Sequence, residues 1–211
     1  MDPKYQSLFT PWKIGKCEIK NRIVLTSMGG TSIFGWMEPH HFDKEAANFL
    51  LDRAKNNVGL ILPGIAPIRN VIGGNWLYKS KSSFKHLKPF MEEIHKTGAK
   101  MFVQLTAGFG RSFAITKMME MLATNKVLGA IAKPFINIDQ LTMSASPNPN
   151  RWSDKVPSRA MTIDEIHEFI KAFGKTAKMC KDAGVDGVEI HAVHEGYLLD
   201  QFTMKYTNQR T

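Results

Sequence analysis

Apolar residues recur along the chain in a repeating order: a short unbroken run, then a longer stretch with apolar positions at helical spacing. Ile23–Met28 (IVLTSM) is the first run, of the kind that a parallel sheet covered on both faces requires. Phe42, Ala46, Phe49, Leu50 and Ala54 then share one face of a helix predicted over about residues 40–57. Val58–Leu62 (VGLIL) predicts a second strand, ended by Pro63-Gly64. Leu87, Phe90, Met91 and Ile94 predict a helix from Phe84 to Thr97, and Gly98 suits the left-handed residue past its end. Met101–Leu105 is the third strand. Thr162 and Glu165 form a capping box for a helix that Gly184 closes, with Ile166, Phe169, Ile170, Phe173, Ala177 and Cys180 as its apolar stripe. Gly187–His191 (GVEIH) is the fourth strand. Ahead of them all, Trp12–Ile14 and Cys17–Ile19 flank Gly15-Lys16 and predict a hairpin with a type II′ turn.

Alternation of strand and helix means an α/β fold. Strand starts near 23, 58, 100 and 187 are 35, 42 and 87 residues apart, so the third unit carries an excursion, about residues 107–160, read as a lid or binding loop. An open doubly wound sheet that binds a dinucleotide calls for G-x-G-x-x-G after strand one, but Gly29-Gly30-Thr31-Ser32 stands there instead. Ser27-Met28, Pro63-Gly64, Gln104 and His191 all fall at C-terminal ends of successive strands, where a (β/α)8 barrel builds its active site. The predicted fold is therefore the N-terminal half of a TIM barrel. Four units over residues 1–211 are half of such a barrel, which takes about 250 residues, so strands five to eight are expected to be missing. Exposed sheet edges would then favour association, which admits a homo-oligomer.

Composition narrows the function. The 28 Lys+Arg against 19 Asp+Glu give a net charge of +9, yet the lysines are scattered singly and no nucleic-acid motif occurs, so nucleic acid is not an expected partner. No apolar run reaches about 18 residues, so no membrane span is expected. The N-terminus carries no secretory pattern. Two distant cysteines, Cys17 and Cys180, make neither a disulfide scaffold nor a thiolate metal cage, and a cytoplasmic setting fits them. The order H-x-x-H-E at His191, His194 and Glu195 matches neither zinc-protease motif, so no metal is expected. His40, His41, His86, His95 and His167 lie on or beside predicted helices in surface or capping roles.

Several of these segments together resemble the old yellow enzyme family of FMN-dependent ene-reductases, in its 2,4-dienoyl-CoA and 2-enoate reductase branch, which includes bile-acid and steroid enone reductases. The resemblance rests on LFTPWKIGKCEIKNRIVLTSM, LILPGIAP, GAKMFVQL with GR after it, RAMTIDEI, and GVDGVEIHAVHEGYLLDQF with TNQRT, in that order. It implies FMN as cofactor, NAD(P)H as reductant and a small unsaturated carbonyl compound as substrate. Longer members add a [4Fe–4S] cluster and an FAD domain that are not encoded here.

Residue by residue, the resemblance implies that Ser27, Met28 and Gly29 lie against the flavin, where the plain alternative is a buried strand end with Met as filler. It implies a close backbone approach to the ring at Gly64, where the alternative is a turn glycine supplying positive φ. It gives Gln104 a hydrogen bond to the flavin pyrimidine edge. Arg111 resembles the Arg of a Q-L-x-x-x-G-R stretch, displaced here by one residue. At the end of strand four it implies that His191 and His194 hold the substrate carbonyl oxygen while Tyr197 delivers a proton. Glu195 interrupts the common His-x-x-His-Gly-Tyr pattern, which singles out Tyr197, then His191, as the firmer assignments. Two functions are thus in play: a flavin-dependent ene-reductase, and a truncated, non-catalytic relative that holds FMN weakly or not at all by itself.

Overall fold

The computed structural model describes residues 2–28, 35–194 and 196–211; Gly29 and Glu195 lie outside the described residues. In chain order come a hairpin, β1 (Trp12–Ile14) and β2 (Cys17–Ile19), then β3 (Val24–Leu25), a second hairpin, β4 (Met37–Glu38) and β5 (His41–Phe42), and helix α1 (Lys44–Lys55). These lead to β6 (Leu60–Ile61), β7 (Ala66–Pro67), α2 (Lys81–Lys96) and β8 (Lys100–Thr106). The excursion holds α3 (Lys117–Thr124), α4 (Lys126–Ala132), α5 (Ile138–Leu141), β9 (Met143–Ser144) and β10 (Arg159–Ala160). Helix α6 (Ile163–Asp182) and β11 (Gly187–Ile190) complete the pattern. The segment 107–160 is thus built from helices and a parallel two-stranded pair, β9 with β10, rather than from irregular loop.

The residues divide into two compact units. The first comprises 1–67, 77–105 and 174–190, and its centre is a parallel sheet in the order β11-β8-β6-β3, with β7 also paired to β8. Leu60 and Ile61 pair with Lys100 and Met101, and Gly187–Ile190 with Phe102–Leu105, so β8 is hydrogen-bonded on both sides. Met101, Val103 and Leu105, alternate residues on one face of β8, are fully buried. Leu87, Phe90, Met91 and Ile94 of α2 are buried as their spacing predicts. Asp43 caps α1 by accepting the N–H groups of Glu45 and Ala46, both at 3.0 Å. Asn21 ties the entry of β3 to the end of α1: its Nδ2 donates to the Asn57 carbonyl at 2.7 Å and its Oδ1 accepts the Ile23 N–H at 3.0 Å. A Cβ on Gly59 would stand 2.3 Å from that Oδ1, so the close approach needs glycine. In the β1–β2 turn Gly15 has φ +57° and Lys16 stays at negative φ, as a type II′ turn requires.

Two expectations are corrected. The strand predicted over Ile23–Met28 pairs only at Val24–Leu25, and Thr26, Ser27 and Met28 run on exposed; an apolar pattern does not say where pairing stops. Ile170 is 62% exposed, because the buried face of α6 runs through Phe169, Ala172, Thr176 and Cys180.

The second unit comprises 68–76, 106–173 and 191–211. Polar side chains bonded to backbone carbonyls hold it. Asn148 Nδ2 donates to Ser144 Oγ and the Ser146 carbonyl, both at 2.8 Å, and to the Thr207 carbonyl at 2.9 Å. Arg210 Nη1 donates to the carbonyls of Ala145 and Met161 at 2.9 and 2.7 Å, tying the end of the chain to the excursion. Trp76 packs edge-on against Phe169 with centroids 5.2 Å apart, and the Arg69 guanidinium lies over the Trp76 ring, 5.0 Å from its centroid. The capping box is formed: Thr162 N–H donates to Glu165 at 2.8 Å and Glu165 N–H to Thr162 Oγ1 at 3.1 Å.

Glu38 in the first unit is only 8% exposed, and burial pushes its carboxyl from 4.5 up to about 7. The unfolded chain ionises this group near 4.5 and the folded chain near 7, so the folded state holds the extra proton between those values and loses stability as pH rises through them. Glu38→Gln should therefore stabilise the protein more at pH 8 than at pH 5, by up to about 3 kcal/mol. Urea unfolding at the two pH values checks this, and an equal difference at both would count against it.

Candidate active site

In the first unit, the side chains at the C-terminal ends of the parallel strands form a short polar chain. Gln104 lies within β8 rather than past its end and is 8% exposed. Ser27 Oγ lies 2.9 Å from Gln104 Oε1 and 3.1 Å from the Pro63 carbonyl. Gln104 Nε2 donates to the Glu189 carboxylate, and the β8–β11 register sets these two residues side by side. Glu189 is a site residue beyond those that the sequence singles out, and its signal there is a charge within the apolar strand GVEIH.

Beside this chain a cavity of about 220 Å³ is lined by Thr26, Met28, Trp36, Leu62, Pro63 and Gly64, among others. Trp36 is 1% exposed and its indole Nε1 has no hydrogen-bond partner among the described residues. Met28 is 54% exposed, so it does not serve as core filler. Gly64 is buried without a positive φ, so the turn itself does not demand glycine there. These features fit a planar heterocycle with a hydrogen-bonding edge: an amide with one N–H still available, an apolar thioether and a backbone without a Cβ.

In the second unit, the rings of His191, His194 and Tyr197 come together. His191 and His194 have ring centroids 5.3 Å apart, and Tyr197 lies 5.1 Å from His191 and 4.7 Å from His194. Phe109 meets the Tyr197 ring edge-on at 4.9 Å and Phe113 at 5.8 Å, adding an apolar wall that sequence reasoning did not single out. His191 and Tyr197 are half-buried and His194 is exposed.

Backbone bonds aim the Tyr197 segment. Leu198 N–H donates to the Gly108 carbonyl at 3.1 Å, Gly196 N–H to Asp200 Oδ2 at 2.7 Å, and Gln201 Nε2 to the Gly196 carbonyl at 2.5 Å. Arg111 is held by its Nε on the Pro149 carbonyl at 3.2 Å, and its stem passes over Gly196, 3.9 Å from where a Cβ would be. Among the described residues no group of three or more His, Cys, Asp or Glu side chains converges to hold a metal ion.

The sequence profile of the NADH:flavin oxidoreductase / NADH oxidase family matches residues 7–211, and the chain belongs to that family. It is 38% identical to a cinnamate reductase from Clostridium sporogenes over 100% of this chain and 30% of that protein. It is 29% identical to a probable NADH-dependent flavin oxidoreductase of Bacillus subtilis over 100% of this chain and 50% of the relative. Among solved structures, the old yellow enzyme from Pichia sp. AKU4542 superposes with a TM-score of 0.68 and 26% identity, covering 97% of this chain and 50% of that one. The chain thus spans between about a third and a half of these relatives, and its fold is the N-terminal half of their barrel. The family's flavin is FMN. The first unit's residues fit it: Gln104 would face the pyrimidine edge, with Ser27, Met28 and Gly64 beside the ring.

The segment carrying Tyr197 tolerates no bulk at Gly110. A Cβ there would lie 2.2 Å from Gln201 Nε2 and 3.0 Å from the Leu198 Cα, and φ is +55°. Gly110→Ala should cost about 1–3 kcal/mol through strain and the displaced backbone. Thermal unfolding tests it, and an unchanged midpoint would refute the packing role.

Proposed function

We propose that this chain carries the flavin-binding and proton-donating half of an ene-reductase acting on an enoate, enoyl-CoA or enone. The observation that supports this most directly is the meeting of the His191, His194 and Tyr197 rings within 4.7–5.3 Å directly after β11. Bound FMN would supply hydride, taken from NAD(P)H, to the β-carbon of the substrate. Addition at that carbon builds negative charge on the carbonyl oxygen. Ring N–H groups of His191 and His194 would receive it, and one preorganised donor in comparable sites is worth about 3–4 kcal/mol. The α-carbon then takes a proton. A phenol, whose reference pKa is about 10, keeps its proton at neutral pH until carbanion character appears, which suits Tyr197 for this transfer.

The excursion supplies the substrate wall in this reading. Met118 and Met121 on α3 are 54% and 50% exposed, and flexible thioethers accommodate varied apolar groups. Met143 is buried in β9 and packs the excursion from inside. A small unsaturated carbonyl compound is the partner proposed, in a cytoplasmic setting consistent with the free Cys17 and Cys180. No helix among the described residues is long and apolar enough to cross a membrane.

Tyr197→Phe in the flavin-loaded protein separates the two half-reactions. Reduction of the flavin by NAD(P)H needs no proton at the α-carbon, so its rate should stay near the parent value. Reduction of the substrate should fall by about 10²–10⁴, the usual cost of losing a general acid. Stopped-flow absorbance follows both. Equal slowing of the two would remove Tyr197 from the proposed role, and a parent protein without flavin absorbance would favour the non-catalytic alternative.

A further inference from the structure

Gln104 is the amide assigned to the flavin, and an amide has two faces that differ only in which end donates. Serine cannot choose between them. The Ser27 hydroxyl can donate to the Pro63 carbonyl at 3.1 Å and accept from an amide N–H, or it can donate to an amide oxygen at 2.9 Å. Glu189 does choose. A carboxylate only accepts, so the end of Gln104 beside Glu189 must be the NH2 group, and the oxygen must face Ser27. The register makes the arrangement obligatory, because Glu189 is the direct partner of Gln104 across the β8–β11 ladder. One amide hydrogen is then committed to Glu189, and among the described residues none takes the other.

We infer that Glu189 is a positioning residue for the flavin: it fixes the Gln104 amide in the orientation that reads the pyrimidine edge, and its negative charge lowers the flavin's reduction potential. This rests on the reading of Gln104 as the pyrimidine contact. The electrostatic part follows from charge balance. Hydride transfer from NAD(P)H moves two electrons and one proton, leaving NAD(P)+ and a reduced ring with one net negative charge. A fixed carboxylate one side chain away disfavours that charge, more so in a partly buried site than in water. Gln104 at 8% exposed places the relay in such surroundings. Placement and charge are separable, because Gln at position 189 can still accept a hydrogen bond but carries no charge.

The test uses the full protein with Glu189→Gln and Glu189→Ala, reading the FMN dissociation constant by flavin fluorescence and the midpoint potential by dye-equilibrated reduction. Glu189→Gln should keep FMN affinity within about threefold of the parent and shift the potential to more positive values. Glu189→Ala should share the positive shift and also weaken FMN by about three- to tenfold, the worth of one hydrogen bond. Unchanged potential in both variants would overturn the electrostatic role, and unchanged affinity in Glu189→Ala the positioning role. A fall in thermal midpoint of the flavin-free protein that accounts for all lost affinity would reduce Glu189 to a structural residue and overturn the inference. If instead the parent binds FMN but Gln104→Ala leaves its affinity unaltered, the underlying assignment of Gln104 fails separately.

Discussion

Strand β8 is the constraint on which the first unit depends. It is the strand hydrogen-bonded to β6 on one side and β11 on the other, so its register dictates which side chains become neighbours. A parallel ladder slipped by one residue would turn Met101, Val103 and Leu105 out of the core and reverse every side chain. It would also separate Gln104 from Glu189. Core packing and the polar relay are thus settled by one alignment, and the stability of the apolar positions maintains the geometry of the polar ones.

The second unit reaches its geometry by other means. It has little sheet, and side chains bonded to the backbone take the place of a ladder: Asn148, Arg210 and Gln201 donate to carbonyls and Asp200 accepts the Gly196 N–H. Such contacts are directional and fail abruptly when one partner is lost, because the buried carbonyl left behind stays unsatisfied.

Burial of polar groups is the recurring cost. Burial raises the Glu38 carboxyl toward neutrality, and the Trp36 indole N–H beside the cavity has no hydrogen-bond partner among the described residues. Gln104 and Glu189 avoid that cost by bonding each other, and Asn21 by bonding the backbone.

The α/β class, the strand and helix order, the hairpin at Gly15 and the capping box at Thr162 were legible in the sequence, because each rests on local spacing and on residues three or four apart. So were Ser27, Gln104, His191, His194 and Tyr197 as candidates, since each stands at or near a predicted strand end or in a recognisable motif. The family resemblance, not periodicity, attached roles to them. Tertiary structure alone decided the rest. That Ile170 faces solvent depends on which side of α6 finds a partner, and the early end of pairing in β3 depends on its neighbour β6. Glu189 and Phe109 entered the site only through contacts between segments about 85 residues apart in the chain, Gln104 with Glu189 and Phe109 with Tyr197. No periodic pattern encodes such a pairing, because register between distant strands is chosen by the burial of all their side chains together.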